Sequence, residues 1–405
     1  MAFQQGLSGL NAASRALDVI SNNVANTSTV GFKGSSTLFA DVFASAMSGA
    51  SGTGGQVGIG TSAGAIAQRF NQGGITSTNN PLDLAINGGG FFRMSGEGTI
   101  AYTRNGQFDV DREGYIVNSG GFRLTGYPAD ASGNILPAAP VEMQIDTSDQ
   151  PPQASGTIEM GMNLDSRATV PTAAFSATDP NSYNFSTSVT VYDSLGNDHI
   201  LTMYFRKSAG GSWDMYHELD GGGTTAFGAP LTFDGSGMLT GGGSQTISLT
   251  IPASFGALSP QAVNFEFAGT TQYGRGFGLN RRVQDGYASG SLSGISISSD
   301  GIMLGRYSNG ESRNLGQVVL ADFAAPGGLV SLGDNLWVES PDSGSPLVGA
   351  PGTAGLGLLD SGAVEDSNVD LTAELVNMIT QQRSYQANAQ SIRTQDEILQ
   401  TLVNL

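Results

Sequence analysis

Leu371-Thr-Ala-Glu-Leu375-Val-Asn-Met378-Ile-Thr-Gln-Gln382-Arg-Ser-Tyr385-Gln-Ala-Asn-Ala389-Gln-Ser-Ile392-Arg-Thr-Gln-Asp396-Glu-Ile-Leu399-Gln-Thr-Leu-Val403 steps along the chain by four and three residues. On the numbered line only Gln382 and Asp396 are neither apolar nor Ala or Tyr. Such a repeat is a heptad seam on one face of an α-helix. No Pro or Gly interrupts Asn368 to Leu405, so the stretch predicts one unbroken helix, roughly 50 Å long. Ser367 or Asn368 is expected to cap it, with Asp370 and Glu374 near its positive end.

The other end of the chain repeats the pattern. Phe3, Leu7, Leu10, Ser14, Leu17, Ser21 and Val24 again step by four and three, and Ala12, Ala13, Ala16 and Ile20 widen the stripe. Gly6 and Gly9 weaken the first turns. This helix is expected to end near Asn26-Thr27, before Val30-Gly31-Phe32. Two readings compete: each helix packs on its own domain core, or the two pair with each other and then assemble. The polar surface favours assembly. Between Val376 and Gln395 the only charges are Arg383 and Arg393; the remainder is Gln, Asn, Ser and Thr. A solvated helix usually carries many Glu and Lys. A helix surrounded by copies of itself avoids charge, because like charges would repeat at every contact.

Composition bounds the rest. The chain has 405 residues, 59 of them glycine, no cysteine, two histidines and a net charge of −18. Without cysteine there is no disulfide framework, thiolate zinc site or thiol nucleophile. His199 and His217 leave little material for acid–base or metal chemistry. The 17 basic residues form no cluster, which argues against a nucleic-acid partner. The start lacks a basic segment followed by an apolar core, so no cleavable signal peptide is expected. The longest uncharged run, Val42 to Gln68, is too rich in Gly, Ser and Thr to insert in a membrane. No cofactor is expected.

Between the helices the texture is β. Asp300-Gly301 and Asn309-Gly310 are hairpin signals separating strand-like runs at 294–298, 302–308 and 315–323, which predicts a three-stranded meander. A second hairpin is expected from 186–192 and 199–205, with 213–219 as a third strand. Further strands are expected at 83–86, 90–94, 102–104, 107–110 and 115–117. Linker texture marks 48–64, 137–152 and 340–357. If the terminal helices pair, the chain is nested: an α+β multidomain protein with mainly-β domains inside a helical frame. The expected divisions are 1–29 with 362–405, 72–147 with 280–361, and an insertion at 148–279.

Chemical motifs fail on context. Gly60-Thr-Ser62-Ala-Gly64 matches a nucleophile elbow, but that elbow needs a strand before it and a helix after it. Asp109-Val-Asp111-Arg-Glu113-Gly114 resembles half a calcium loop, yet its twelfth position is Gly120 and not an acid. A turn between strands is expected there, and another at Asp234-Gly-Ser-Gly237. Asn87-Gly88-Gly89-Gly90-Phe91-Phe92 lacks the Lys-Ser/Thr ending of a phosphate loop. Its glycines are expected to allow close backbone packing beside the aromatics. An enzyme is not expected.

Leu7-Ser-Gly-Leu-Asn-Ala-Ala13 with Ser21-Asn-Asn-Val-Ala-Asn-Thr-Ser-Thr-Val-Gly-Phe-Lys33 resembles the N-terminal signature of the bacterial flagellar rod and hook family. Ser367-Asn-Val-Asp-Leu-Thr-Ala-Glu-Leu-Val-Asn-Met-Ile379, Gln382-Arg-Ser-Tyr-Gln-Ala-Asn388 and Leu399-Gln-Thr-Leu-Val-Asn-Leu405 resemble its C-terminal signature. Asp83-Leu-Ala-Ile-Asn-Gly-Gly-Gly-Phe-Phe92 resembles its central motif. Within the family, Gln284-Asp-Gly-Tyr287, Gly290-Ser-Leu-Ser-Gly294 and Tyr307-Ser-Asn-Gly310 look like hook sequence.

The resemblance implies a subunit that stacks helically into a short curved tube, a universal joint carrying torque from rod to filament and conducting exported proteins. It implies that the terminal helices form an inner coiled coil, and that a segment at about 30–71 stiffens contacts between neighbours. The implied seam is Phe3, Leu7, Leu10, Leu17, Val24, Leu371, Leu375, Met378, Tyr385, Ala389, Ile392, Leu399 and Val403. Implied partners are other copies of the chain, the distal rod protein, the hook cap, the hook–filament junction proteins and the flagellar type III export apparatus, with export needing no cleaved signal. A distal rod protein of the same family and a secreted β-rich adhesin are the alternative readings.

Overall fold

The helices α1 (Ala2–Ala25) and α2 (Leu371–Val403) stand at the two ends of the sequence, with strands and short 3-10 turns between them. The computed structural model describes residues 2–42, 58, 60–96 and 98–403. The chain forms two units: 1–146 with 294–305 and 312–405, and 147–293 with 306–311.

In the first unit α1 and α2 run antiparallel. A Cβ added at Gly6 would lie 2.9 Å from Ile392 Cγ1, and one at Gly9 would lie 2.7 Å from Asn388 Nδ2. At the other end of α1, Asn23 Nδ2 donates to Glu374 Oε1 at 3.3 Å. The face of α1 that is buried is therefore its small-residue line: Gly6, Ala12, Ala13, Ala16, Ile20 and Asn23. Small side chains let the two backbones approach, so the glycines that weaken the helix serve its packing. This register sets Gly6 against Ile392, so α2 continues past the start of α1, and Ile398 and Leu399 are exposed there.

The start of α2 corrects the expected cap. Asp370 Oδ1 accepts the amides of Thr372 and Ala373 at 2.8 and 3.1 Å, so Asp370 is the N-cap. Asn368 is used otherwise: its Oδ1 accepts from Gly34 N, and its Nδ2 donates to the carbonyls of Arg69 and Asn71.

After α1 the chain forms a long antiparallel hairpin, β1 (Ser35–Val42) with β2 (Gly60–Gln68), in register from Ser35↔Gln68 to Val42↔Gly60. The linker texture at 48–64 covers the start of β2, Gly60 to Gly64. Residues 48–57 and 59 of that stretch lie outside the described residues. The elbow-like Gly60 to Gly64 belongs to β2 and is followed by more strand, so it has no elbow geometry.

The main sheet runs, in spatial order, through strands Leu292–Ile297, Ile302–Tyr307, Ser312–Val318, Arg123–Pro128, Phe91–Gly96, Thr99–Thr103, Leu336–Val338 and Val330–Gly333. Residues 292–293 and 306–307 of the first two strands count with the second unit. The expected meander is present at one end of this path. Phe91, Tyr102, Phe323 and Trp337 form an edge-to-face aromatic core, with Phe70 packed against it. The triglycine reading holds as well. Gly88 has φ +119°, and a Cβ there would stand 2.9 Å from Gly357 Cα. The Asp109–Gly114 stretch is a turn: Asp111 Oδ1 accepts the amides of Glu113 and Tyr115.

The second unit is a β-sandwich. One sheet follows strands Phe185–Tyr192, Asp198–Lys207, Ser212–Leu219, Leu231–Phe233 and Leu239–Gly241; the other follows Ser244–Leu249, Gln261–Glu266, Thr157–Asn163 and Gly278–Gln284. Alternate residues of both sheets meet in one core around Trp213, Phe205, Phe265, Phe267, Met160 and Met162. The expected hairpin turns between Tyr192 and Asp198. Asp234 likewise closes a turn, accepting from Ser236 N and Met238 N. Both histidines are buried on strands of this unit. His199 sits between Asp220 and Asp193; burial alone would lower its pKa, but these hydrogen bonds raise it. Burial pushes the pKa of His217 down. No described helix is long and apolar enough to cross a membrane.

Candidate assembly surface

The predicted seam and the line buried between the two helices are neighbouring stripes, not one stripe. On α1, Phe3 is 49% and Leu7 44% exposed, and Leu10, Leu17 and Val24 are half-buried. On α2, Leu371, Leu375, Tyr385 and Leu399 are exposed, and Met378, Ala389 and Ile392 are half-buried. The side chain of Val403 lies outside the described residues. Val376, Ile379 and Ile398 add to the exposed apolar surface of α2. The inner line of α2 includes Glu374, Met378, Asn388 and Ile392. The heptad thus shares Met378 and Ile392 with the pair and turns Leu371 and Leu375 outward. A monomer rarely leaves so many large apolar side chains on two adjoining helices; such surface marks an interaction site.

The hairpin extends this surface. Leu38, Phe39 and Ile66 are each about half exposed or more. Gln5 Nε2 donates to Gly58 O at 2.6 Å, and Thr61 N donates to Ser8 Oγ at 3.3 Å, so the hairpin lies along α1. Beside it, Ala16, Ile20, Phe39, Arg69, Glu374 and Gln381 are among the residues lining a recess of about 180 Å³.

Beneath the helices is a charged node that the sequence reading missed. Glu365 ends the strand Ala363–Glu365, which pairs with Ile75–Ser77. Its Oε1 accepts from Lys33 Nζ at 2.6 Å and from Gly73 N at 2.8 Å; its Oε2 accepts from Arg104 Nη1 at 3.0 Å. Lys33 also donates to Asn71 O, and Arg104 Nη2 donates to Gly88 O. All three charged side chains are buried. Burial lowers the pKa of Lys33, and Glu365 pulls it back up. Gly31 N donates to Glu365 O at 2.7 Å. One carboxylate thus joins the segment leaving α1, the segment entering α2 and the β body. A second tie lies one layer out, where Asn23 and Arg69 both reach Glu374 Oε1. The available signal was compositional. Lys33 is one of only two lysines in a charge-poor chain, and a lone charge inside a Gly-Phe run is a candidate for burial with a partner.

Comparison with known proteins places this geometry. Family models match four stretches: the flagella basal body rod protein over 3–33, the flagellar hook protein FlgE/F/G D1 domain over 85–178, the flagellar basal body protein FlaE D2 domain over 163–287, and the flagellar basal body rod FlgEFG protein C-terminal over 360–405. The chain is 42% identical over 412 residues to the flagellar hook protein FlgE of Escherichia coli (strain K12), covering 100% of each. It is 42% identical over 416 residues to the FlgE of Salmonella typhimurium, again covering 100% of each. Among solved structures, the Helicobacter pylori flagellar hook protein FlgE2 aligns with TM-score 0.52 and 13% identity, covering 70% of this chain and 98% of that one. At that identity the likeness is one of fold.

Proposed function

This chain belongs to the flagellar hook protein family and is a structural subunit of the bacterial hook, and we propose that its terminal helices are the means by which copies join into a tube. The observation that carries this is the exposed apolar surface shared by α1 and α2, including Phe3, Leu7, Leu371 and Leu375. Burying it needs neighbours, and a heptad seam buries it against helices of the same kind. Within the tube the helices form an inner coiled coil. The connecting segment at 30–71 braces it. The tube bends as a universal joint because the seams hold firmly while the Gly-rich outer surfaces slide. It joins the distal rod protein at one end and the hook–filament junction proteins at the other, grows under the hook cap, and is exported by the type III apparatus without a cleaved signal. No chemistry is assigned to it.

Removing 1–25 and 371–405 tests this, because it takes away both helices and leaves Lys33, Arg104 and Glu365 in place. The expected product is a soluble monomer by light scattering that forms no tubes under the electron microscope. Tubes from the truncated chain would overturn the helix mechanism.

A further inference from the structure

His199 lies buried in the second unit with an acid at each ring nitrogen. Its Nδ1 stands 2.6 Å from Asp220 Oδ2, and its Nε2 stands 3.3 Å from Asp193 Oδ2. The residue is 1% exposed, and the Phe255 ring meets it edge-on with 5.0 Å between centroids. An ionised carboxylate only accepts hydrogen bonds, and a neutral imidazole has one donor and one acceptor nitrogen. A neutral ring would therefore turn a lone pair on one of the two acids. Only the imidazolium, with an N–H on each side, satisfies both.

The ring ties separate pieces of chain together. Asp193 opens the turn between strands Phe185–Tyr192 and Asp198–Lys207, and its Oδ1 accepts from Leu195 N and Asn197 N. Asp220 follows strand Ser212–Leu219. Its Oδ1 accepts from Ile200 N at 2.7 Å, and its φ is +50°, a left-handed conformation uncommon outside glycine. The loop at 250–260 lies across the turn: Phe255 packs on the ring, and Leu258 N donates to Ser194 Oγ at 2.9 Å. Charge around the ring is one-sided. Residues 192–200, 219–222 and 250–260 contain Asp193, Asp198 and Asp220 and no Lys or Arg. Tyr192 pairs in register with Asp198. Strand Ser212–Leu219 adds Glu218, which accepts from Tyr204 Oη, and His217, whose pKa burial pushes down. On the facing sheet, Asp285 accepts the amides of Gly156 and Thr157, and Arg282 donates to Ser188 O.

We propose that His199 with Asp193 and Asp220 is a pH-released latch: as an imidazolium it ties the turn at 193–197 and the loop at 250–260 to the sheet, and when it loses its proton that end of the second unit opens. The device belongs to the single folded chain and stands apart from how copies assemble. Burial would lower the pKa of His199, but the hydrogen bonds and charges of Asp220 and Asp193 raise it. The sign follows. Below about 6.5, the ordinary histidine value, the ring is charged in folded and unfolded chains alike and the latch contributes in full. The contribution is lost as pH rises through the raised value in the fold. Burial would raise the pKa of Asp193, but Asn197, the amide of Leu195 and His199 hold it down. On the acid side the latch is therefore kept below the ordinary carboxylate value of about 3.9, and lost only as pH falls through the lowered one. Loss of the ring proton first frees the turn from the strand, and with it Ser194, the anchor of the loop.

With only two histidines in the chain, ring-nitrogen NMR of the full-length, unassembled protein labelled with heavy-nitrogen histidine tests this directly. His199→Gln assigns the signals. The expected result at about pH 7 is an imidazolium at His199 and a neutral ring at His217, with the His199 midpoint at least about one pH unit above the ordinary 6.5. Asp220→Asn keeps an oxygen for Ile200 N and suits the left-handed backbone, so folding is retained and circular dichroism checks it. It is expected to lower the His199 midpoint by about one unit or more. Chymotrypsin reads the opening. Cleavage after Phe255 or Leu258, corrected by a free peptide of residues 250–260, is expected to rise at least about fivefold across the midpoint, and at lower pH in Asp220→Asn. A ring that is neutral at about pH 7, or a midpoint that Asp220→Asn leaves in place, overturns the latch. Titration with no change in cleavage overturns the opening.

Discussion

Glu365 is the residue on which the helical frame depends. Its carboxylate answers two buried cations and an amide at once. A buried ion pair is weak evidence of stability when compared with an apolar replacement, but removing one partner leaves uncompensated charge, which costs about 3–5 kcal/mol. Glu365→Gln strands both Lys33 and Arg104, so it belongs at the upper end of that range. Lys33→Met removes one charge and leaves Glu365 with Arg104, so its cost is expected to be smaller, about 1–3 kcal/mol for the hydrogen bonds that the ammonium no longer makes. Urea unfolding followed by tryptophan fluorescence checks this. Trp337 reports the first unit and Trp213 the second, so each is replaced by Phe in turn to separate the transitions. The expected result is a shift confined to the Trp337 signal. An equal shift at Trp213, or a Glu365→Gln variant as stable as the wild type, contradicts the role given to the node.

At the scale of elements, the two stripes of α1 make separable predictions. Gly9 lies against Asn388, and any Cβ there meets its amide at 2.7 Å. Gly9→Leu is therefore expected to push the helices apart and lower the stability of the first unit by about 1–3 kcal/mol, the usual cost of overpacking, even though Leu is the better helix former. Leu375→Asp acts on the outer stripe. Leu375 is exposed in the single chain, so unfolding is expected to change by under about 0.5 kcal/mol, while sedimentation shows assembly lost. If Leu375→Asp assembles normally, the outer stripe is not a seam. The helices, the meander and the hairpin of the second unit were legible because their signals are local: a three-and-four repeat, an Asp-Gly, an Asn-Gly; the sheet of Ser244–Leu249, Gln261–Glu266, Thr157–Asn163 and Gly278–Gln284 was not. The sequence reading counted Ala12, Ala13, Ala16 and Ile20 only as a widening of the apolar stripe. Hydrophobic size marked the line that faces outward, and the pair was built instead on close approach. Of the node only Lys33 stood out, as a lone charge in a Gly-Phe run; its partners did not. Lys33 and Arg104 meet Glu365 across 332 and 261 residues, and no local pattern encodes such a meeting. The cap was misplaced for a related reason, since Asn368 is spent on carbonyls near residue 70.

For the whole molecule the deciding quantity is the net charge of −18 set against a seam almost free of charge. Copies approaching one another repel at long range. At about 0.01 M salt that repulsion reaches roughly 30 Å, and at about 0.1 M roughly 10 Å. The apolar contacts of the helices do not weaken over this range, so screening removes an obstacle and leaves the driving force intact. The balance predicts that raising salt from about 0.01 M to about 0.1 M shortens the lag before tube growth several-fold and lowers the concentration at which tubes first appear. Light scattering at a series of salt concentrations measures both. Slower growth in more salt would mean that ion pairs, and not the seam, hold the copies together.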